Sequence, residues 1–288
     1  MSPLATGLTA MTEEEFRLLR DLVHQHCGLW YRDDARFLLE RRLGPRLAAL
    51  GLEDFGGYHR YLRFDPGGEL ELEEATDVLT TNETYFYREP YQLKAFAEEI
   101  LPALAEANAA DRRLRVLSAG CSTGEEVYTI AALIRAAGLF EGWEVEVVGA
   151  DISRRCIAQA RAGAYGEHAF RAPEAHVMRK WFHLRGGKWV VDDALRSMVR
   201  FQRENLLHPR ALASVSRLDV VFCRNVIIYF DLEARRTMLR RVHQRMRAGG
   251  WLLLGHAESL LNVTADFELV HLTSDLVYRR PRGGPELP

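Results

Sequence analysis

The sequence predicts an α/β protein with a mostly parallel sheet, preceded by a small helical domain. Over the last two thirds of the chain, apolar runs that suit strands alternate with helical patterns; the runs lie at about 114–119, 145–150, 199–201, 218–223 and 249–255. Such alternation is typical of a parallel sheet covered by helices. Two further strands at about 267–272 and 275–280 are close enough in sequence to form an antiparallel pair at its end.

The first eighty residues show only helical patterns. Thr12 and Glu15 match a capping box at the start of the first helix. A second helix is predicted from Phe37 to about Leu50, with a break or kink at Gly44–Pro45, because proline inside a helix removes a backbone donor. Two more helical segments follow at about 54–63 and 69–79.

Composition limits the classes of function. The chain has 288 residues, 48% of them hydrophobic, and a formal net charge of −2, which argues against a general nucleic-acid binder. It contains no apolar run of about 20 residues, so we expect no membrane insertion. The N-terminus shows no secretory pattern, and four scattered cysteines predict reduced thiols in a cytoplasmic protein. The spacing of histidine and cysteine predicts no metal site.

A glycine turn between a strand and a helix stands out at 114–131. Gly120 and Gly124 lie in the turn, and Glu125 and Glu126 open the helix. The pattern is neither G-x-G-x-x-G nor a P-loop, and two carboxylates at this position repel phosphate. A cationic or hydroxyl-rich ligand is therefore expected, and S-adenosylmethionine fits.

Polar residues follow two other predicted strands. Asp151 could bind the ribose hydroxyls of a nucleoside, or it could cap the helix that begins near Ser153. Arg224 and Asn225 follow the central strand. Arg224, if buried, needs a partner, which could be a substrate carboxylate, a ligand or a structural acid. Tyr229 could pack in the core or face the reacting group.

Two further groups have an alternative structural explanation. Asn82, Thr84 and Arg88 lie between the predicted domains, where such residues often cap helices, but the crowding of large aromatic and polar side chains there favours function. A basic stripe on the second helix comprises Arg36, Arg41, Arg42 and Arg46. It is either a solvated face or a surface that docks onto an acidic protein.

Six segments together resemble the CheR family of chemoreceptor glutamate methyltransferases: residues 81–89, 119–126, 150–152, 205–207, 222–230 and 255–259. The resemblance implies a Rossmann-like class I S-adenosylmethionine-dependent methyltransferase fold with a mostly parallel seven-stranded sheet. It also implies a helical domain over 1–79, a linker over 80–90 that contributes to the cofactor site, a methyltransferase domain over 91–281 with a small β insertion at 181–204, and a tail over 282–288.

The resemblance further implies methyl transfer from S-adenosylmethionine to glutamates on the cytoplasmic helices of chemoreceptors, with S-adenosylhomocysteine as the product. Arg88 and Tyr229 would be the catalytic residues. The cofactor contacts implied by the family, with Gly120 added from the glycine turn, are Asn82, Thr84, Arg88, Gly120, Glu126, Asp151, Asn205, Leu206, Arg224 and Asn225. Arg36, Arg42 and Arg46 would dock the receptor. We expect a monomer.

The sequence departs from the family at three places. Val127 follows the paired glutamates where relatives often have proline, Pro45 interrupts the basic helix, and the 181–204 region is short. The short region predicts recognition that does not depend on a receptor tether. Two alternative functions remain open: a non-catalytic regulator that binds the cofactor, and a methyltransferase acting on a small molecule or RNA.

Overall fold

The computed structural model describes residues 10–283, so residues 1–9 and residues 284–288 of the predicted C-terminal tail lie outside it. The described chain divides into two compact units. The first contains the residues up to Thr81 together with Tyr229–Asp231, and the second contains Asn82–Ile228 and the chain from Leu232 onward. The short segment Tyr229–Asp231 therefore belongs to a different unit from both of its neighbours in sequence.

The first unit is helical. Its helices are α1 (Glu13–Cys27), α2 (Arg36–Ala49), α3 (Phe55–Phe64) and α4 (Gly68–Leu79), and a 3-10 turn at Asp33–Ala35 precedes α2. Thr12 and Glu15 form the predicted capping box, in which each side chain accepts a backbone N–H of the other residue. One face of each helix is buried, and the largest fully buried side chains are Tyr58, Phe16, Phe55, Leu19, Leu39, Leu43 and Leu47.

The predicted break at Gly44–Pro45 is wrong, because α2 is continuous through Pro45. A proline disfavours helical geometry in the preceding residue partly through a clash with that residue's Cβ, and Gly44 has none. Leu39, Leu43 and Leu47 are fully buried on one face, so packing holds the helix across the missing hydrogen bond.

The second unit contains a seven-stranded sheet in the order β6-β2-β1-β7-β8-β10-β9. Its strands are β1 (Arg113–Ala119), β2 (Glu144–Asp151), β6 (Val199–Arg203), β7 (Leu218–Cys223), β8 (Met246–Leu254), β9 (Glu268–His271) and β10 (Leu276–Arg279). The first five of these in sheet order run parallel, and β10 pairs antiparallel with both β8 and β9. The predicted sheet, parallel apart from its end, is thereby confirmed. All six residues of β7 are buried, as expected for a central strand covered on both faces.

Helices precede the first strand of this unit and lie between later ones. They are α5 (Pro90–Ala95), a π-helical turn (Phe96–Ile100), α6 (Leu101–Ala107), α7 (Glu125–Ala137), α8 (Arg154–Ala162), α9 (Asp193–Arg196) and α10 (Leu232–Arg245). No helix within residues 10–283 is long and apolar enough to cross a membrane.

A small second sheet consists of β3 (Ala164–Tyr165), β4 (Phe182–Arg185) and β5 (Lys188–Val191), in the order β3-β5-β4. The range 181–204 expected for the β insertion differs from this sheet at both ends, because β3 lies before residue 181 and β6 belongs to the large sheet, where it pairs with β2. The ring of Phe201 lies where a Cβ on Gly149 would come within 2.7 Å of it. Because Gly149 of β2 has no side chain, the ring of Phe201 can pack at this place on the large sheet.

Candidate active site

The polar motifs of the second unit lie at one edge of the large sheet. Parallel strands end at the same edge, and the segments that follow β1, β2, β6, β7 and β8 contain Gly120–Glu126, Asp151, Asn205 and Leu206, Arg224 and Asn225, and Gly255–Glu258. The fold therefore brings together five segments that are far apart in sequence. Ligands of open α/β sheets bind at this edge.

The glycine turn after β1 is joined to the end of β2. The Gly120 and Cys121 N–H groups donate to the Ala150 carbonyl over 2.8 and 3.0 Å. Gly120 has φ +76°, and a Cβ on it would lie 2.4 Å from Val226 Cγ2. Only glycine fits here, because both the backbone conformation and the space exclude a side chain.

Asp151 cross-links two parts of the site. One carboxylate oxygen accepts the Ser122 N–H over 2.8 Å, and the other accepts the Ser153 N–H over 2.9 Å. The N-cap of α8 is Ser153 rather than Asp151. These two hydrogen bonds hold the Asp151 carboxylate at the end of β2, between the glycine turn and the start of α8.

Arg224 has structural partners. Its side chain is 2% exposed and forms ion pairs with Glu89 and Glu126, each over 3.2 Å. It also donates to the Arg88 carbonyl. The guanidinium is therefore engaged within the protein, as the structural alternative expects, and its contact with a ligand stays a prediction. One buried cation faces two carboxylates, which leaves local negative charge for a cationic ligand.

Glu126 is shaped by the same cluster. Its second carboxylate oxygen accepts the Ser118 hydroxyl over 2.7 Å. Burial raises the pKa of Glu126, and the Arg224 charge and the Ser118 hydrogen bond oppose that rise. Burial also raises the pKa of Glu125, whose side chain accepts the Thr123 hydroxyl.

The segment 82–90 is packed onto the second unit. Phe86 is fully buried, stacks on Phe170 with ring centroids 4.6 Å apart, and donates its N–H to the Ala169 carbonyl. Ser122 Oγ donates to the Asn82 carbonyl over 3.1 Å, which ties the segment to the glycine turn.

Arg88 is held by its own segment. Its guanidinium donates to the Glu83 carbonyl over 2.6 Å and lies 5.8 Å from the Tyr85 ring centroid. The Thr84 carbonyl accepts a hydrogen bond from Arg171. On either side of Arg88, Tyr87 and Glu89 have left-handed φ values of 62° and 58°. Such backbone strain often occurs at functional sites.

Asn205 and Leu206 form a turn after β6. Asn205 Oδ1 accepts the Leu207 N–H over 3.0 Å, and Leu206 is buried. The Leu206 carbonyl accepts a hydrogen bond from Arg241 of α10. These bonds fix both residues at the edge of the sheet.

Asn225 has a left-handed φ of 59°, and its side-chain oxygen is buried without a hydrogen-bond donor among the described residues. Its N–H donates to Glu258. Sequence reasoning gave no role to Glu258, although it lies in a quoted motif. Its position four residues after the end of β8 was the available indication. Glu89 and Ser118 were also missed: Glu89 lies 135 residues from Arg224, whereas Ser118 lies only eight residues from Glu126, across the glycine turn.

Tyr229 lies in the helical unit. Its carbonyl accepts the Trp30 N–H over 2.9 Å, and Phe230 forms a β-bridge with Leu29. Tyr229 and Trp30 also line a cavity of about 240 Å³ together with Tyr31 and other residues of that unit. The segment Tyr229–Asp231 thus completes the helical unit.

The predicted docking arginines differ in their surroundings. Arg46 forms a bidentate ion pair with the buried Glu71 over 2.9 and 2.5 Å. Arg42 donates to the Leu79 carbonyl at the end of α4 and to Thr81. Arg36 is exposed, as is Arg41. Arg42 and Arg46 therefore stabilise the helical unit itself.

Comparison with known proteins identifies the family. Residues 82–276 match the family described as "CheR methyltransferase, SAM binding domain", and residues 14–80 match "CheR methyltransferase, all-alpha domain". The chain belongs to the CheR methyltransferase family. The boundary between the two matches falls next to the boundary between the two units at Thr81.

Several relatives are similar over most of this CheR chain. "Chemotaxis protein methyltransferase 2" of Vibrio cholerae is 31% identical, over 95% of each chain. "Chemotaxis protein methyltransferase 1" of Pseudomonas aeruginosa is 33% identical, over 92% of this chain and 97% of its own. "Probable biofilm formation methyltransferase WspC" of the same species is 33% identical over 92% of this chain, but only 61% of WspC is covered.

The second unit has the class I methyltransferase fold of this family, and its residues fit S-adenosylmethionine. The orphan acceptor on Asn225 Oδ1 suits a donor on the ligand. Two partly buried carboxylates against one buried guanidinium suit a positive charge. Among residues 10–283, no group of three His, Cys, Asp or Glu side chains could hold a metal ion.

Proposed function

We propose that this protein transfers a methyl group from S-adenosylmethionine to glutamate side chains on the helical cytoplasmic domains of chemoreceptors. The products are a glutamyl methyl ester and S-adenosylhomocysteine. One observation carries the proposal: segments that match the CheR family by sequence converge at the carboxyl edge of one sheet. The names of the relatives support a chemotaxis substrate, and such a substrate places the enzyme in the cytoplasm.

The bound cofactor supplies an electrophilic methyl group. A glutamate acceptor is already ionised at neutral pH, so the enzyme needs no general base. The role of its residues is to orient the two reactants. Correct orientation of two reactants is worth about 7–11 kcal/mol. In this proposal Asp151 accepts the ribose hydroxyls, Asn225 accepts a ligand donor, and the carboxylates of Glu126 and Glu89 favour the ligand's positive charge.

The reaction centre is assigned to Arg88 and Tyr229. Arg88 retains donors beyond the one given to the Glu83 carbonyl, and these would orient the acceptor carboxylate. The Tyr229 hydroxyl is a neutral donor, which would lower the nucleophilicity of an acceptor carboxylate less than a full charge would. Asn82, Thr84, Asn205 and Leu206 complete the proposed cofactor pocket, along with Gly120.

Receptor docking is assigned to the exposed arginines of α2. Arg36 and Arg41 are exposed and free to meet acidic side chains on a receptor helix. Arg42 and Arg46 join α2 to α4 through their bonds to Leu79 and Glu71.

The first test is calorimetric titration of the full-length protein with S-adenosylmethionine and S-adenosylhomocysteine. We expect micromolar binding of both. Adenosine diphosphate is the control, and it should bind at least tenfold more weakly because the site carries carboxylates where phosphates would lie. Absence of binding by both adenosyl compounds would contradict the proposal.

The second test is transfer of radiolabelled methyl to a chemoreceptor cytoplasmic fragment. We expect label that is released as methanol in mild base, since carboxyl esters hydrolyse there. The control is the same fragment with its acceptor glutamates replaced by aspartate or alanine. Cofactor binding without transfer to any receptor would favour a non-catalytic regulator.

A further inference from the structure

The carboxylate of Glu258 accepts hydrogen bonds from four backbone amides. One oxygen accepts the N–H groups of Gly255 and Asn225, each over 2.7 Å. The other accepts those of Val226 and Ile228 over 2.8 and 3.2 Å. One side chain thereby satisfies amides from the ends of two neighbouring strands, β7 and β8.

Three of these amides, those of Gly255, Asn225 and Val226, are at partly buried positions, and that of Ile228 is at an exposed one. The chain after β7 leaves the sheet with Asn225 in a left-handed conformation, which costs a residue other than glycine on the order of 1 kcal/mol. A buried amide without an acceptor would cost a further 1–3 kcal/mol, approximately. Glu258 offsets both costs. Burial raises the pKa of Glu258, and its bonds to the four amides oppose that rise.

Gly255 allows the close approach of the two segments. A Cβ on Gly255 would lie 2.7 Å from Asn225 Nδ2 and 2.9 Å from a Glu258 carboxylate oxygen. The side chain of Asn225 is therefore packed directly against the backbone that Glu258 organises. Its Oδ1 atom is the buried acceptor that lacks a donor among the described residues.

We propose that Glu258 is a positioning residue for the cofactor site: it fixes the backbone of residues 225–228, and so holds the Asn225 amide where it meets S-adenosylmethionine. The inference rests on the proposed function. Glu258 does not contact the cofactor itself, because both of its oxygens are occupied by amides of its own chain. It also fixes the chain up to Ile228, the residue before Tyr229.

The test is Glu258→Gln in the full-length protein. Glutamine keeps the size but turns an NH₂ group toward amides that need an acceptor. We expect the Kd for S-adenosylhomocysteine to rise at least tenfold. In methyl transfer, the KM for S-adenosylmethionine should rise while the KM for the receptor fragment stays within twofold of wild type.

Glu99→Gln is the matched control. The Glu99 carboxylate also accepts backbone N–H groups, from Thr273 and Ser274, in the turn between β9 and β10. Those strands are outside the parallel part of the sheet that carries the motifs. A general loss of stability would affect both variants, whereas loss of cofactor affinity only in Glu258→Gln supports a positioning role.

The outcomes separate the two proposals. If wild type binds neither adenosyl compound, the proposed function fails. If wild type binds and Glu258→Gln binds equally well, the role of Glu258 is refuted while the function stands. Should the variant not fold, hydrogen exchange on ligand-free wild type decides: slow exchange at Asn225, Val226 and Gly255 supports the inference, and fast exchange there overturns it.

Discussion

Arg224 is the residue on which the charge balance of the site depends. It is the buried cation between Glu89 and Glu126. Arg224→Met should lower the free energy of unfolding at neutral pH by about 3–5 kcal/mol, because two carboxylates lose their counter-charge. Arg200→Met is the control, since Arg200 pairs with Glu146 while 41% exposed, and such surface pairs are worth about 0–1 kcal/mol.

The loss of stability caused by Arg224→Met should depend on pH. Burial already raises the pKa of Glu126, and loss of the cation raises it further. A carboxyl group whose pKa is raised by folding destabilises the fold at pH values above its unfolded pKa and ceases to do so when it is protonated. The difference in Tm between wild type and variant should therefore shrink as pH falls from 7 toward 5. A constant difference would contradict this account.

Gly120 combines two requirements that substitution can separate. Gly120→Ala meets an unfavourable φ and a contact of 2.4 Å with Val226, so we expect a lower Tm and weaker cofactor binding. Gly138→Ala is the control, because Gly138 has φ +67° but nothing within 4 Å of its Cβ position; it should cost only about 1–2 kcal/mol.

Val226→Ala in the Gly120→Ala background should restore part of the lost Tm by removing the clash. The remaining loss should match that of Gly138→Ala. If the second change restores nothing, the contact with Val226 is not what restricts Gly120.

At the scale of the element, α2 contains Pro45 in its interior, where proline is unfavourable for helix formation. Pro45→Ala supplies an N–H at an exposed position inside α2. We expect stabilisation by about 2 kcal/mol, the interior cost of proline less its entropic benefit in the unfolded chain. Thermal unfolding measures the change, and Pro90→Ala is the control: Pro90 opens α5, where no N–H is needed. A lower Tm for Pro45→Ala would refute this explanation.

The elements could largely be predicted from sequence because their periodicity is local. The strands from β1 to β10 that make up the large sheet fall close to the apolar runs, and the capping box at Thr12 is present. The continuity of α2 could not be predicted, since it depends on burial of Leu39, Leu43 and Leu47 against other helices.

The site was predictable in location but not in its pairings. Strand ends identify Asp151 and Asn225, because the chain itself shows where a strand stops. The partners of Arg224 lie about 100 and 135 residues away, and nothing local selects Glu126 and Glu89 from the other acids. Glu258 could not be identified from sequence for the same reason. Its hydrogen-bond donors are backbone amides, which nearly every residue has.

At the scale of the whole molecule, the short segment Tyr229–Asp231 belongs to the helical unit, although the chain on both sides of it belongs to the second unit. Asp231 lies 3.2 Å from His24 of α1, an ion-pair contact rather than an aligned hydrogen bond. His24→Gln should loosen Tyr229–Asp231 and lower kcat for receptor methylation by about tenfold, since small displacements near a reaction centre are costly. Cofactor affinity should not change, because that site belongs to the second unit.

His59→Gln is the matched control for His24→Gln. His59 lies on α3 of the same unit, where its charged neighbours are Arg60 and Arg63. Equal losses of kcat in both variants would show a general effect on the helical unit, and would count against a specific role for the segment.

The membership of Tyr229–Asp231 in the first unit also bears on biosynthesis. A ribosome releases the chain in order, so the helices before Thr81 emerge long before their last piece. At roughly 5–20 residues per second, the intervening stretch of about 150 residues takes on the order of ten seconds to synthesise. During that interval the Trp30 N–H and the strand edge at Leu29 have no partner from residues 229–231. The nascent helical unit is thus incomplete until residues 229–231 have been synthesised.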